Sequence, residues 1–307
     1  MFFKNITVFK LNEKIDCENL AQQLSHFAFK PCKSFDASST GWVHPFSTEY
    51  PDLSTRVNNF HLLCLKTEDK ILPTQVINEH AAQKIADIER LQNTKIGKHE
   101  KASIKEEISQ SLLARAFSKS RLTFSYFDNS AQYLVIDSTS DKVIDETIDL
   151  LRKTLGSLKI EPIFEEISGV LTTWFKDNAI PDDIVLENKC KLISDQGNGV
   201  ANISCQGDIM LSQNIVAFIE AGGAIAELAL SWRDQLSLTL NDRFQCKSIK
   251  FLEGIKNLNQ ELSQQDDVIK AEADFLLMAE TFSELLDSLI TACQSKQPEP
   301  VCLESVT

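Results

Sequence analysis

The chain has 307 residues, 43% of them apolar, with a net charge of −13. That length buries a real core in two or three folding units. No apolar run, including those at Ile225–Trp232 and Phe275–Met278, approaches the roughly 20 residues of a membrane span. Eight cysteines, with no CxxC and no close pairing in sequence, read as reduced thiols and not as a disulfide framework.

Taken in chain order, residues 2–11 predict a strand rich in β-branched and aromatic types. The opening MFFKNITVFK meets Lys4 and Asn5 at once and lacks the pattern of a signal peptide, so a cytosolic location is expected. Residues 17–28 place Leu20, Leu24 and Phe27 at helical spacing. A loop with Pro31, Gly41, Pro45 and Pro51 follows. His61–Lys66 reads as a strand closed by a polar turn at Thr67–Lys70. From Thr74 to Ser118 the composition turns to Ala, Lys, Glu, Gln and Leu. It predicts a helical hairpin, one helix near 75–92 and another near 100–117, jointed at Asn93, Thr94 and Gly97. Val76, Ile77, Ile85, Ile88 and Leu91 form the apolar face of the first helix, and Ile104, Ile108, Leu112 and Phe117 that of the second. A helix of about 16 residues is roughly 24 Å long, so such a pair reaches well beyond a sheet.

Leu122–Phe127 and Gln132–Asp137 predict a β-hairpin around Asp128–Ala131. The next helix has Ser138, Thr139 or Ser140 as cap, buries Ile144, Ile148, Leu151 and Leu155, and ends at Gly156. Strands are expected at Asp183–Ile193 and Val200–Cys205, flanking the turn-rich run 195–199. A short helix over Ser212–Ala221 leads to alternating stretches 226–232 and 236–240 and a strand over 244–251. A long helix over Ala271–Cys293 precedes a tail from Gln294 expected to be disordered. The fold class is α+β, with mainly antiparallel sheets, packed helices and a projecting helical hairpin. The expected domains are a central α/β domain (1–73 and 122–160), a helical tip inserted at 74–121, and an α+β base at 161–293.

Charge divides unevenly. Residues 1–160 hold 21 Lys/Arg against 20 Asp/Glu, a balance of +1, and residues 161–307 hold 10 against 24, a balance of −14. This asymmetry fits either a polyanion site confined to the first half or an acidic half that serves solubility alone. Between residues 84 and 121 stand Lys84, Arg90, Lys95, Lys98, Lys101, Lys105, Arg115, Lys119 and Arg121. Only Asp87, Glu89, Glu100, Glu106 and Glu107 oppose them. Lys98, Lys101 and Lys105 at i, i+3 and i+7 share one helix face. Such a face suits phosphate contact, which needs charge but no base-specific geometry. The same residues also suit an ordinary exposed hairpin. Aromatics here are too sparse for base stacking to dominate.

Enzyme signatures are absent: no GxGxxG, no GxxxxGK[ST], no GxSxG, and no HExxH or Cys/His cluster among five histidines. No catalytic residue, metal or cofactor is expected. His99 reads as a solvated side chain in the helix joint. Cys32 is read as a packed thiol, with a hydrolase nucleophile as the remote alternative. Carboxylate pairs such as Asp182–Asp183 and Asp266–Asp267 read as solvated faces or caps.

Ordered blocks along the chain resemble the RdgC family of bacterial recombination-associated proteins. They are Phe3-Lys4-Asn5, Phe29-Lys30-Pro31-Cys32-Lys33-Ser34, Gly41-Trp42-Val43, Lys70-Ile71-Leu72-Pro73, and residues 111–118 (SLLARAFS) and 150–158 (LLRKTLGSL). Ile219-Glu220-Ala221-Gly222, Leu228–Trp232 and Ala273–Met278 continue them. The resemblance implies a ring-shaped homodimer with a hole wide enough for duplex DNA. It further implies binding of double- and single-stranded DNA without sequence preference, restraint of the RecA recombinase, a nucleoid-associated cytoplasmic location, and no catalysis. It assigns Phe117, in Ala-Phe-Ser, to the tip contact between subunits. The second family contact uses a basic stretch before the 212–221 helix. Here that stretch reads Cys205-Gln206-Gly207-Asp208, without a Lys. A closed ring reconciles an acidic exterior with a basic lumen. The competing expectation is a regulator that acts by direct protein contact through its acidic C-terminal half.

Overall fold

The computed structural model describes residues 2–47, 52–177, 180–195, 200–207, 209, 212–252 and 267–295. Two compact units emerge. One comprises residues 1–16, 55–62 and 125–307, and the other residues 17–54 and 63–124. Mixed α+β structure with antiparallel pairing and packed helices holds in both.

In the second unit, α1 (Leu20–His26) buries Leu20 and Leu24. The loop expected after it contains a strand instead, β2 (Ser38–Val43), paired antiparallel with β4 (Phe60–Ile71) from Ser38 opposite Asp69 to Val43 opposite Cys64. This pairing explains why the expected turn at Thr67–Lys70 is strand. Thr67 is buried and its neighbours complete the ladder. β3 (Ser54–Val57) turns into β4 through Asn58, whose φ of 53° an Asn tolerates. Gly41 lets β2 pass close by the chain at Phe29. A Cβ there would lie 2.4 Å from the Phe29 Cα, so only Gly fits. The Phe29 N–H donates to the Trp42 carbonyl and the Trp42 N–H to the Phe27 carbonyl, both at 2.9 Å.

The helical hairpin is α2 (Thr74–Gln92) and α3 (Lys98–Leu113). Asn93 closes α2 in the left-handed conformation, and Gly97 opens α3. The two helices bury Ala81, Ile96, Ile104 and Ile108, with Ile77, Ile85, Ile88 and Leu112 packed against them. Two expected members of this face are elsewhere. Leu91 is 82% exposed, and α3 ends at Leu113, so Phe117 is not helical at all. It begins β5 (Phe117–Asp128), five residues earlier than the expected strand.

In the first unit, β1 (Thr7–Leu11) pairs antiparallel with β6 (Tyr133–Ile136) and β7 (Ile160–Pro162), and β6 pairs with the Ser125–Asp128 end of β5. The N-terminal strand is thus shorter than residues 2–11. α4 (Asp141–Leu155) buries Ile144, Ile148 and Leu151 and stops at Gly156, whose φ is 76°. α5 (Ser168–Asp177), which the sequence reading missed, carries the buried Trp174. A second sheet runs β12-β11-β10-β8-β9. Its strands are β8 (Ile184–Asp195), β9 (Val200–Gln206), β10 (Ala224–Trp232), β11 (Leu236–Asn241) and β12 (Cys246–Phe251), with α6 (Gln213–Glu220) between β9 and β10. The turn-rich residues 196–199 and the tail from 296 lie outside the described residues. The N-terminal chain covers the β12 edge: Ile6 and Cys246 exchange backbone hydrogen bonds at 2.8 and 3.0 Å, and Ile249 donates to the Lys4 carbonyl at 2.8 Å.

The last helix, α7 (Asp267–Gln294), buries Phe275, Met278, Phe282, Leu285, Leu286 and Leu289. Phe275 meets Tyr126 and Phe60 edge-on at 5.6 and 6.3 Å between ring centres, and Phe282 meets Phe251 at 5.5 Å. Rings in this geometry add to area burial, and each buried Phe contributes about 1.5–3 kcal/mol. Asp183, expected as a solvated carboxylate, is an anchor. Its Oδ2 accepts from Trp232 Nε1 at 3.0 Å and Ser288 Oγ at 2.8 Å, with Arg233 Nε at 3.3 Å.

Candidate nucleic-acid interface

Ion pairs across the hairpin supplement its apolar seam. Lys84 on α2 reaches Glu107 on α3 at 2.7 Å, and Lys101 on α3 reaches Glu89 on α2 at 3.3 Å. Glu89 also accepts the Ile96 N–H at 3.0 Å, which fastens the joint between the helices. That backbone hydrogen bond and then Lys101 hold the Glu89 carboxyl below the usual carboxylate range. Arg90 pairs with Asp87 at 3.3 Å within α2.

Three of the nine expected phosphate-contacting cations therefore have acidic partners on the hairpin itself. Lys101 in particular turns toward α2 and so is separated in role from Lys98 and Lys105, which share its helical face by spacing. Lys95, Lys98, Lys105, Arg115 and Lys119 are exposed and form no ion pair among the described residues. Lys95 sits in the joint, Lys98 and Lys105 on α3, Arg115 in the link that follows, and Lys119 on β5. Arg121 on β5 is half-buried. The spacing of the lysines is visible in sequence. Their cross-helix partners are not, because these depend on the register in which two helices meet. His99 is exposed, as expected.

Phe117 lies at the end of α3 away from the 93–97 joint. Lys70 at the end of β4 donates through Nζ to the Ala116 carbonyl at 3.4 Å and through its backbone N–H to the Ala37 carbonyl at 2.8 Å. These bonds hold the Ala37 and Ala116 backbones beside Lys70; the nearby residues Phe35, Ile71 and Phe117 are 73%, 50% and 85% exposed. An intramolecular core role for Phe117 is thereby overturned. Neither Phe35 nor Ile71 was singled out as a contact residue in sequence: Phe35 is an isolated apolar residue in a polar stretch, and Ile71 entered only within the block Lys70-Ile71-Leu72-Pro73.

Cys32 donates from Sγ to the Glu68 carbonyl at 3.3 Å, and desolvation and then Glu68 raise its pKa, so it is held as a thiol. Among the described residues no three His, Cys, Asp or Glu side chains converge as a metal site, and no helix is long and apolar enough to cross a membrane.

Fold and surface together define an α+β protein of antiparallel sheets and packed helices that presents a lysine-bearing helical hairpin. A family model described as "Putative exonuclease, RdgC" matches residues 1–296. The chain is 36% identical over 298 residues to the recombination-associated protein RdgC of Yersinia enterocolitica, covering 95% of this chain and 97% of that protein. Its similarity to the RdgC proteins of Yersinia pestis and Yersinia pseudotuberculosis has the same extent. The chain belongs to the RdgC family.

Proposed function

We propose that this protein binds double- and single-stranded DNA without sequence preference, as a ring-shaped homodimer that encircles DNA and limits RecA-promoted recombination. The relatives are described as recombination-associated. The observation that carries the reading is the set of five exposed cations that form no ion pair among the described residues, Lys95, Lys98, Lys105, Arg115 and Lys119, in a chain whose net charge is −13. Point charges on flexible stems neutralise phosphates and read no bases. Lys84, Arg90, Lys101 and Arg121 complete the proposed surface, with Lys84 and Lys101 also joining the two helices of the hairpin.

In this reading residues 74–121 form a tip, residues 1–73 with 122–160 a central part, and residues 161–293 a base. Phe117, with Phe35 and Ile71 beside it, anchors the tip contact between subunits. A buried aromatic at such a centre is the usual energetic anchor of an interface. The protein works as a cytoplasmic, nucleoid-associated scaffold and not as an enzyme.

The test is fluorescence anisotropy with an unrelated-sequence duplex across a salt series. Tight binding at low salt that falls steeply as salt rises supports the reading. No binding at low salt refutes it and moves the function to protein contact through the acidic half.

A further inference from the structure

The eight cysteines have no sequence pattern, but the sheet register gives two of them one. In the β8–β9 ladder Cys190 lies directly opposite Cys205. Gly207 donates its N–H to the Asn188 carbonyl at 3.0 Å, which makes that pair a hydrogen-bonded one. Alternation along an antiparallel ladder makes Cys190 and Cys205, two steps on, hydrogen-bonded too, with Cα atoms about 5.5 Å apart. A disulfide needs Cα atoms roughly 4.4–6.8 Å apart and Cβ atoms roughly 3.5–4.5 Å apart. This pair meets the first condition and closes with a local inward shift of about 1 Å at Cβ, a strain that keeps the bond easily reduced. Directly opposed side chains share a face of the sheet, so the two thiols are neighbours on it.

Access separates this pair from the other described cysteines. Cys64, Cys246 and Cys293 are sealed in the core at 0% exposure. Cys32 spends its proton on the Glu68 carbonyl, and Cys17 lies outside the strands. Cys205 is half-exposed and Cys190 nearly buried, and both line a surface cavity of about 270 Å³ beside Lys189, Lys191 and Glu227. A peroxide molecule fits that space.

We propose that Cys190 and Cys205 are a modification site at which hydrogen peroxide closes a reversible intrachain disulfide. The Cys205 sulfur attacks one peroxide oxygen and the O–O bond breaks. The thiol proton goes to the departing hydroxide, leaving a sulfenic acid and one water. The Cys190 sulfur then attacks the Cys205 sulfur and the S–O bond breaks. Hydroxide takes the Cys190 proton and leaves as a second water. Two thiols lose two electrons, and one peroxide gains them. Burial and Cys205 push the Cys190 thiol up to about 12, which suits the deeper residue to the second, resolving step. A dithiol reductant reverses the bond. The product ties strand β9 to β8.

The test treats the full chain with graded peroxide, alkylates remaining thiols, and cleaves after glutamate without reduction. Cleavage at Glu187 and Glu220 releases both cysteines in one peptide with no other cysteine. The expected product is that peptide unalkylated and two hydrogens lighter, and restored by dithiothreitol. In Cys190→Ser the Cys205 sulfenic acid persists and is trapped by dimedone. The proposal is overturned if Cys17 or Cys32 oxidises while this peptide stays fully alkylated. It is equally overturned if Cys205 advances to sulfinic acid without the bond, or joins Cys205 of a second chain. The mapping is made on the unmodified chain, so it holds even if a variant folds poorly.

Discussion

The Glu89 carboxylate of α2 holds both the joint and α3, accepting the Ile96 N–H at 3.0 Å and meeting Lys101 Nζ at 3.3 Å. In Glu89→Gln the charge-assisted part of both contacts is lost. The Ile96 amide is then expected to exchange hydrogen faster, with the cores of α2 and α3 still helical. Because the folded-state pKa is depressed, the contribution is present above the usual carboxylate range and disappears as pH falls through the folded value. Exchange rates of the two proteins should therefore converge in acid. Equal rates at neutral pH would remove Glu89 from the joint.

Removing the charges of Lys95, Lys98 and Lys105 together is expected to weaken DNA binding alike for every sequence. It should also flatten the salt dependence by about 0.9 in log–log slope per lost phosphate contact. Lys84→Gln and Lys101→Gln should instead loosen the hairpin, since each leaves Glu107 or Glu89 without its partner. Anisotropy titrations beside thermal melts separate the two groups. An unchanged salt slope in the triple variant would place those lysines away from the DNA.

Phe117→Ala should leave the monomer within about 0.5 kcal/mol of its original stability, because an exposed side chain is removed. If Phe117 is an interface anchor, losing about 1.5–3 kcal/mol of burial weakens the dimer roughly 10- to 100-fold. Sedimentation equilibrium reads this directly. An unaltered dissociation constant would take Phe117 out of the contact.

Asp137 is half-buried, and desolvation outweighs its backbone hydrogen bonds from Asn5 and Lys4, lifting its pKa from 3.8 to about 6. A raised carboxyl pKa means that the unfolded chain releases the proton first. Stability is highest below pH 4 with respect to this group and falls as pH rises to about 6, by up to about 3 kcal/mol. Asp137→Asn should flatten that part of the stability-versus-pH curve measured by urea unfolding. An unchanged curve would mean that the carboxylate is already solvated.

Gly41→Ala places a Cβ 2.4 Å from the Phe29 Cα, with backbone on the other side that has no side chain to swing away. The expected cost is about 1–3 kcal/mol, from the range for forced overpacking. A melt indistinguishable from the original would show that the segment shifts freely.

Much of the fold was legible where apolar residues kept a period. Ile144, Ile148 and Leu151 read correctly as one helix face, as did the strand alternation around Trp232. The reading broke where sequence-distant partners decide. Thr67–Lys70 looks like a turn until β2 pairs with it, and Ala114-Arg115-Ala116 looks helical although the chain leaves α3 before it. At the candidate site, helical spacing put Lys98, Lys101 and Lys105 on one face. Nothing local could reveal that Glu89 of the facing helix claims Lys101 and not the other two.

The covered edge of the second sheet has a bearing on assembly. Lys4 and Ile6 occupy the outer side of β12, while among the described residues β9 has no further strand beyond it. A polymer built by strand addition requires two open edges on every subunit, one to give and one to receive. This sheet offers one. Two copies joined through β9 would leave no edge for a third, so growth by this route ends at a pair and cannot run on into a fibre.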